Sequence, residues 1–135
     1  MRVVIDTNVL ISAIFWPGKP KQLLNQVRLG KVTFLTSEIL LAELEEVLTR
    51  KDKPFKLSEE EALRVLTPIR GLAEVVQPYS TVTQCRDDAD NRVLECAIDG
   101  KADWIITGDW HLLELHSFKE VTITTVAEFL ATIGP

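Results

Sequence analysis

Short runs of consecutive apolar residues alternate along the chain with stretches in which apolar residues recur every three or four positions. Val3, Val4 and Ile5 form the first run, and consecutive β-branched residues are typical of a strand that is buried on both faces of a parallel sheet. Further strands are predicted at 32–35, 73–76, 104–106 and 121–123. Strands that alternate with helices predict an α/β fold, here a five-stranded parallel sheet flanked by helices.

Helical spacing and helix-breaking residues divide the rest of the chain. Pro17 and Gly18 separate the first two predicted helices, and Gly30 stands where the C-terminal cap of the second belongs. The predicted helices cover 9–15, 21–29, 38–50, 58–71, a segment that begins near 88, a short segment after 109, and 126–133. At 135 residues, the chain is most simply one domain, residues 1–135.

Two of the predicted strands lead directly to an aspartate. Asp6 follows Ile5, and Asp109 follows the strand at 104–106 after Thr107 and Gly108. The carboxyl ends of parallel strands form the edge at which open α/β sheets bind ligands, so both carboxylates are well placed for chemistry. Asp6 is equally suited to cap the following helix, and its position alone favours neither role.

Glu43 borders the apolar stripe of the helix predicted at 38–50, between Leu40 and Val47. A charged group held there needs a partner, a cation or access to a cleft. The alternative is that its side chain extends from the flank of the stripe into water.

Asp90 belongs to a segment with three acids in four positions just before a helical apolar pattern. It precedes Val93 by three residues and Leu94 by four, which places it over the inward face at the positive end of the helix, as suits a ligand carboxylate. Asp87 or Asp88 is the better candidate for the helix cap, and either could serve as an outer metal contact.

Four acids, Asp6, Glu43, Asp90 and Asp109, are thus singled out by separate arguments. Carboxylates crowded together raise one another's pKa unless a cation compensates their charge. Hard oxygen ligands without paired His or Cys point to Mg²⁺ or Mn²⁺ rather than zinc. Acidic magnesium sites of this kind act on phosphates.

The net charge of −5 is unevenly distributed. Residues 1–57 carry a balance of +3 and residues 58–135 a balance of −8. Lys19, Lys21 and Arg28 in the positive half are candidate contacts to RNA phosphates, although a solvated helix rim is the plainer interpretation.

Composition also bears on location and cysteine chemistry. No apolar stretch approaches the ~20 residues of a membrane helix, and the N-terminus opens on a strand rather than a signal peptide, so we expect a cytoplasmic protein without membrane contact. Cys85 and Cys96 form no recognised metal motif, and Cys96 is predicted to be a buried thiol.

Four motifs in order resemble the PIN domain family, the ribonuclease domain of toxin-antitoxin systems such as the virulence-associated protein C toxins. They are Val-Val-Ile-Asp-Thr-Asn-Val-Leu at 3–10, Ser-Glu-Ile-Leu-Leu-Ala-Glu-Leu at 37–44, Asp-Asp-Ala-Asp-Asn at 87–91 and Ile-Ile-Thr-Gly-Asp at 105–109. The resemblance implies a sheet of order 3-2-1-4-5, magnesium-dependent cleavage of single-stranded RNA, a homodimer or higher homo-oligomer, and an inhibiting antitoxin protein. By position, it implies that Asp6, Glu43, Asp90 and Asp109 bind the metal, with Asn8 or Thr107 positioning water or carboxylates.

Three other interpretations compete with a nuclease. A haloacid-dehalogenase-like phosphatase needs a second aspartate where this chain has Asn8. A receiver domain of two-component signalling needs a phospho-acceptor aspartate after the third strand, where this chain has Val76, Gln77 and Pro78. A catalytically idle PIN-like module that binds RNA or protein stays open, although such a module has no use for four mutually repelling acids.

Overall fold

A computed structural model describes residues 1–134, which contain six strands in one sheet. The strands are β1 (Arg2–Ile5), β2 (Thr33–Ser37), β3 (Ala73–Val76), β4 (Trp104–Ile106), β5 (Ser117–Phe118) and β6 (Val121–Thr124). Their order is β3-β2-β1-β4-β6-β5, and every neighbouring pair is parallel except β5 with β6. The predicted α/β class with a mostly parallel sheet is confirmed.

The predicted strand count needs one correction, since the sheet has a sixth strand at its edge. The five predicted strands keep the expected order, but the predicted strand at 121–123 is β6, and the two-residue β5 lies antiparallel beside it. Two residues are too few to show a periodic pattern. The residues flanking β5, His116 and Lys119, have φ angles of 61° and 54°, and these left-handed turns fold the short strand back onto β6.

Seven helices connect and cover the strands within residues 1–134. They are α1 (Thr7–Phe15), α2 (Lys19–Arg28), α3 (Glu38–Thr49), α4 (Glu59–Leu72), α5 (Asp88–Asp99), α6 (Trp110–Leu113) and α7 (Val126–Ile133). Two of them begin two residues earlier than the apolar spacing predicts. In α1 the cap is Asp6, and in α2 Pro20 lies in the first turn, where proline replaces an amide that has no helical partner.

Alternate residues of β1 pack into two separate cores, one on each face of the sheet. Val3 and Ile5 pack with residues of α1, α2, α3, α4 and α7, whereas Val4 packs with residues of α5. Cys96 lies in this second core, as predicted, and its burial raises the pKa of the thiol to about 12. The parallel pairing of Ile5 with Ile106 brings the carboxyl ends of β1 and β4 side by side. Across residues 1–134, helices with the length and apolar character to span a bilayer are absent.

Candidate functional site

Asp6 occupies the carboxyl end of β1 and combines the two roles between which the sequence could not choose. Its Oδ1 accepts the backbone N–H of Thr7 at 2.8 Å and thereby caps α1. Its Oδ2 accepts the hydroxyl of Thr107, which follows β4, at 2.7 Å. Burial raises the pKa of Asp6 and the charge of Asp109 adds to that effect, while the two hydrogen bonds oppose it. The cap is therefore also a carboxylate fixed beside a second acid.

Glu43 reaches the same edge from α3. Its Oε2 accepts the hydroxyl of Thr7 at 3.0 Å, and its side chain is half-buried. Burial raises the pKa of Glu43, and the nearby charges of Asp6 and Asp87 raise it further. The side chain of Glu43 thus points toward Thr7 at the end of β1 rather than outward along the helix rim.

Thr7 is a functional candidate that the sequence did not reveal. At the start of α1, the sequence pointed to Asn8 as a positioning residue. Asn8 is exposed, whereas Thr7 is buried and its hydroxyl donates to Glu43. Thr107, the other predicted positioning residue, does hold Asp6. Neighbouring polar residues after a strand can be told apart only when the start of the helix is known, because the first turn decides which one faces inward.

Asp90 and Asp109 face each other at the starts of α5 and α6. Asp109 caps α6 by accepting the N–H of His111 at 2.9 Å, and its own N–H donates to the Thr107 hydroxyl at 3.0 Å. Asp90 is only 6 % exposed, and its Oδ2 is buried without a hydrogen-bond donor among the described residues. Burial, together with the Asp109 carboxyl within hydrogen-bonding reach, raises the pKa of Asp90 to about 7.

All four predicted acids therefore belong to one linked cluster. The linkage runs from Glu43 through Thr7 to Asp6, then through Thr107 to Asp109, whose carboxyl adjoins Asp90. Within residues 1–134, however, no three His, Cys, Asp or Glu side chains are arranged to hold a metal ion. The acids are brought together, but they do not form a closed ligand shell.

The sequence left the cap of α5 open between Asp87 and Asp88 and offered either as an outer metal contact. Asp87 is the cap, since its Oδ1 accepts the N–H of Ala89 at 2.9 Å. Asp88 lies exposed in the first turn, outside the linked cluster.

A second group of polar residues on α5 escaped the sequence analysis. Asn91, Glu95 and Asp99 recur every four residues on one face of the helix and accept backbone N–H groups of the preceding segment, residues 79–85. We refer to these three residues as the polar ladder. Their spacing was the available signal, because polar residues four apart on a largely buried helix need partners.

The ladder holds its segment through several short hydrogen bonds. Asn91 pairs with both backbone groups of Cys85, at 2.7 and 2.9 Å, and Glu95 accepts the N–H of Val82 at 2.8 Å. Asp99 accepts the N–H groups of Tyr79 and Ser80, and also the hydroxyl of Ser80 at 2.6 Å. Residues 79–85, which lack regular secondary structure, are thus tied along the helix that carries Asp90.

The predicted basic residues Lys19, Lys21 and Arg28 all lie on α2, and Arg28 is at the end of that helix remote from the acids. Lys19 and Arg28 are exposed at the two ends of α2. Arg28 lies near the amino edge of the sheet, because β2 begins soon after it and the first residue of β2 pairs with Arg2. The acids occupy the opposite, carboxyl edge. Arg86 and His111 instead line a cleft of about 490 Å³ together with Asp90.

Comparisons with known proteins agree with this architecture. The family model for the PIN domain matches residues 2–111. An uncharacterized protein of Methanocaldococcus jannaschii, MJ1680, is 35 % identical over 117 residues, which is 85 % of this chain and 75 % of that protein. The fold is similar to two solved structures. VapBC2 from Rickettsia felis, bound to a DNA fragment from its promoter, has a TM-score of 0.64, 17 % identity and coverage of 91 % of this chain and 97 % of that one. FitAcB from Neisseria gonorrhoeae has a TM-score of 0.58, 18 % identity and coverage of 93 % and 98 %.

Proposed function

The chain belongs to the PIN domain family, and from this premise we propose that it is a magnesium- or manganese-dependent endoribonuclease that hydrolyses phosphodiester bonds in single-stranded RNA. The observation that carries the proposal is the linked cluster of four acids, in which the buried Oδ2 of Asp90 accepts no hydrogen bond from the residues that the structure describes. A structural polar network is normally satisfied. An acid held unsatisfied beside another acid is typical of a site that needs a cation.

The residues present fit a hard divalent cation. Asp90 and Asp109 adjoin each other, and a cation between them would compensate the repulsion of their two carboxyls. Asp6, Glu43, Asp90 and Asp109 would hold the ion through oxygen atoms, which Mg²⁺ and Mn²⁺ prefer. We propose that small side-chain movements complete the ligand set that the described residues leave open.

Each of the chain's own groups has a defined task in this proposal. The hydroxyls of Thr107 and Thr7 orient Asp6 and Glu43, each through one carboxylate oxygen, and leave lone pairs free for a further ligand. The Thr107 hydroxyl joins the ends of β1 and β4 through Asp6, and the backbone N–H of Asp109 donates to that hydroxyl and helps to orient it. When bound, the cation supplies a water of lowered pKa and charge stabilisation at the phosphate.

Cleavage of a labelled unstructured RNA tests the proposal directly. The purified protein is expected to cleave it with Mg²⁺ or Mn²⁺ and to lose activity with a chelator, and Asp6→Asn is expected to be inactive while retaining the wild-type circular dichroism spectrum. Mn²⁺ should raise the melting temperature of the wild type but not of Asp6→Asn, because a ligand stabilises only the form that binds it. Metal-independent cleavage, or full activity of Asp6→Asn, would contradict the proposal.

One observation favours a second candidate, a PIN-like module that binds RNA without cutting it. The described residues contain no ready group of three metal-ligating side chains. RNA binding without cleavage under any metal condition, and without a metal-induced shift in melting temperature, would favour this alternative over the nuclease.

We further propose an antitoxin partner and a homodimer or higher homo-oligomer. The likeness in fold to VapBC2 supports the first part, since that structure contains a complex bound to promoter DNA. Co-expression with the protein encoded by the adjacent reading frame should yield a co-purifying complex in which RNA cleavage is suppressed. Light scattering coupled to gel filtration tests the oligomeric state, and a monomer at all concentrations would contradict that part.

A further inference from the structure

A cleft lined by Asp90 extends beyond the four acids, because none of the other three is among its lining residues. Its volume is about 490 Å³, and it lies between residues 84–87, which lead into α5, and residues 111–115 in and after α6. These two segments flank Asp90 and Asp109, the facing pair of the candidate site. A molecule seated in the cleft would therefore lie next to a phosphate bound at the acids.

One wall of this cleft is held in place before any ligand arrives. Cys85 pairs with Asn91, which is 1 % exposed, through both of its backbone groups, and Val82 is tied to the buried Glu95. The segment lacks regular secondary structure, yet its backbone is held by hydrogen bonds at both Val82 and Cys85. A preformed wall lowers the conformational entropy lost on binding, as is common in sites for small planar ligands.

The chemistry of the lining favours a nucleobase over a phosphate. Leu115 and Cys85 provide half-buried apolar surface, on which a planar base can lie. Asp87 and Glu114 place carboxylates around that surface, and together with Asp90 they outnumber Arg86, the one permanently cationic lining residue. Within the cleft these acids repel a phosphate, whereas carboxylates accept hydrogen bonds from amino groups on base edges.

We propose that this cleft binds one base of single-stranded RNA next to the cleaved phosphate and prefers bases that carry an exocyclic amino group. The inference rests on the proposed nuclease function for the position of the phosphate. Cytosine, adenine and guanine carry an exocyclic amino group with two N–H donors that Glu114 and Asp87 can accept, whereas uracil offers only the single N3–H of its ring. Glu114 is exposed, and its side chain makes no hydrogen bond within residues 1–134, so its carboxylate is free for such a contact.

Binding of fluorescent oligonucleotides, measured by anisotropy in chelator, tests the cleft separately from catalysis. The wild type is expected to bind oligocytidylate and oligoadenylate about fivefold or more tightly than oligouridylate, as one good carboxylate contact would provide. Glu114→Gln keeps the side-chain size but replaces an acceptor oxygen by a donor, and it should bring the affinities for oligocytidylate and oligouridylate within about twofold of each other. Glu120→Gln, a surface change outside the cleft, is the matched control and should keep the wild-type preference.

The outcomes separate this inference from the nuclease proposal. Equal wild-type affinity for the three oligonucleotides, no binding of any of them, or an unchanged preference in Glu114→Gln would overturn the base pocket, even if the protein cleaves RNA. A preference that Glu114→Gln removes supports the pocket, even if no cleavage is found, and would then describe a binding module.

Discussion

At its first turn, α5 carries Asp90, a buried carboxyl that faces the carboxyl of Asp109 and has one oxygen without a donor within residues 1–134. Farther along the same helix, Glu95 is equally buried but accepts the N–H of Val82 at 2.8 Å and lies 3.1 Å from the guanidinium of Arg92. The two acids thus share a helix and a degree of burial but differ in their partners. Since burial costs an acid its hydration in both places, the partners decide whether it stabilises the fold or opposes it.

This difference separates structural acids from functional ones. Glu95 and Asp99 hold residues 79–85 along α5, and these hydrogen bonds are complete without any further ligand. Asp90 leaves its environment incomplete and is best explained by a ligand that compensates its charge. The distinction can be tested by neutralising each acid in turn.

The largest effect is expected from Asp90→Asn. The change removes one proposed ligand, so metal-dependent RNA cleavage should fall about 100-fold or more. In the absence of metal the same change should stabilise the protein, because the new amide N–H₂ can donate to Asp109 where two acceptors now face each other. Activity and urea unfolding in chelator measure the two effects on one preparation, with Glu120→Gln as a control for the loss of a surface charge. Loss of stability in chelator would contradict the assignment of Asp90 as an unsatisfied acid.

Removing the carboxylate of Glu95 should instead destabilise the protein. Glu95→Ala leaves the N–H of Val82 and the guanidinium of Arg92 without their carboxylate partner, and we expect it to lower the free energy of unfolding by about 2–3 kcal/mol. Glu95→Gln retains an acceptor for Val82 and should cost about half as much. Urea denaturation of the two variants provides the measurement, and equal losses would show that the Val82 hydrogen bond contributes little.

The pH dependence of stability should reveal Asp90 without a metal or a substrate. Its pKa of about 7 in the folded protein exceeds the value near 3.8 of the free side chain, so between these values the folded state binds more protons than the unfolded chain. The contribution of Asp90 to the free energy of unfolding therefore falls as pH rises from about 4 to 7, by up to about 2 kcal/mol after allowance for solvent screening. In chelator, the free energy of unfolding of Asp90→Asn should rise relative to that of the wild type across this range. A difference between the two proteins that does not change with pH would contradict the raised pKa.

The contrast along α5 also shows how far the sequence could predict this molecule. Apolar runs and strand ends predicted the parallel sheet and singled out the four acids, because these signals are periodic or local. The strand order followed from the family resemblance. Strand β5 could not be predicted in this way, because it has only two residues and is defined by its pairing with β6. The start of α1 was misplaced because the apolar spacing begins at Val9, whereas Asp6 caps the helix and its first turn begins at Thr7.

Within the site, sequence reasoning could identify acids but not their distant partners. Asp90 and Glu95 look alike as acids beside apolar positions, and only the tertiary structure brings Asp109 to the first and Val82 to the second. Thr7 was missed for the same reason, since its role depends on Glu43, which lies 36 residues farther along the chain.

The smallest effect is expected at Asp99, and its pH dependence should have the opposite sign to that of Asp90. Partial burial opposes ionisation of Asp99, but the hydrogen bonds from Ser80 and Tyr79 outweigh it and lower the pKa of the carboxyl below its ordinary 3.8. Asp99 therefore contributes stability above about pH 4, and that contribution is lost as the pH falls through its lowered pKa. We expect Asp99→Asn to cost about 1 kcal/mol at pH 7, by urea denaturation, and progressively less as the pH falls through the lowered pKa of Asp99. If Asp99→Asn instead gained stability as the pH rose, Asp99 would behave like Asp90, and the division of α5 into a functional and a structural end would fail.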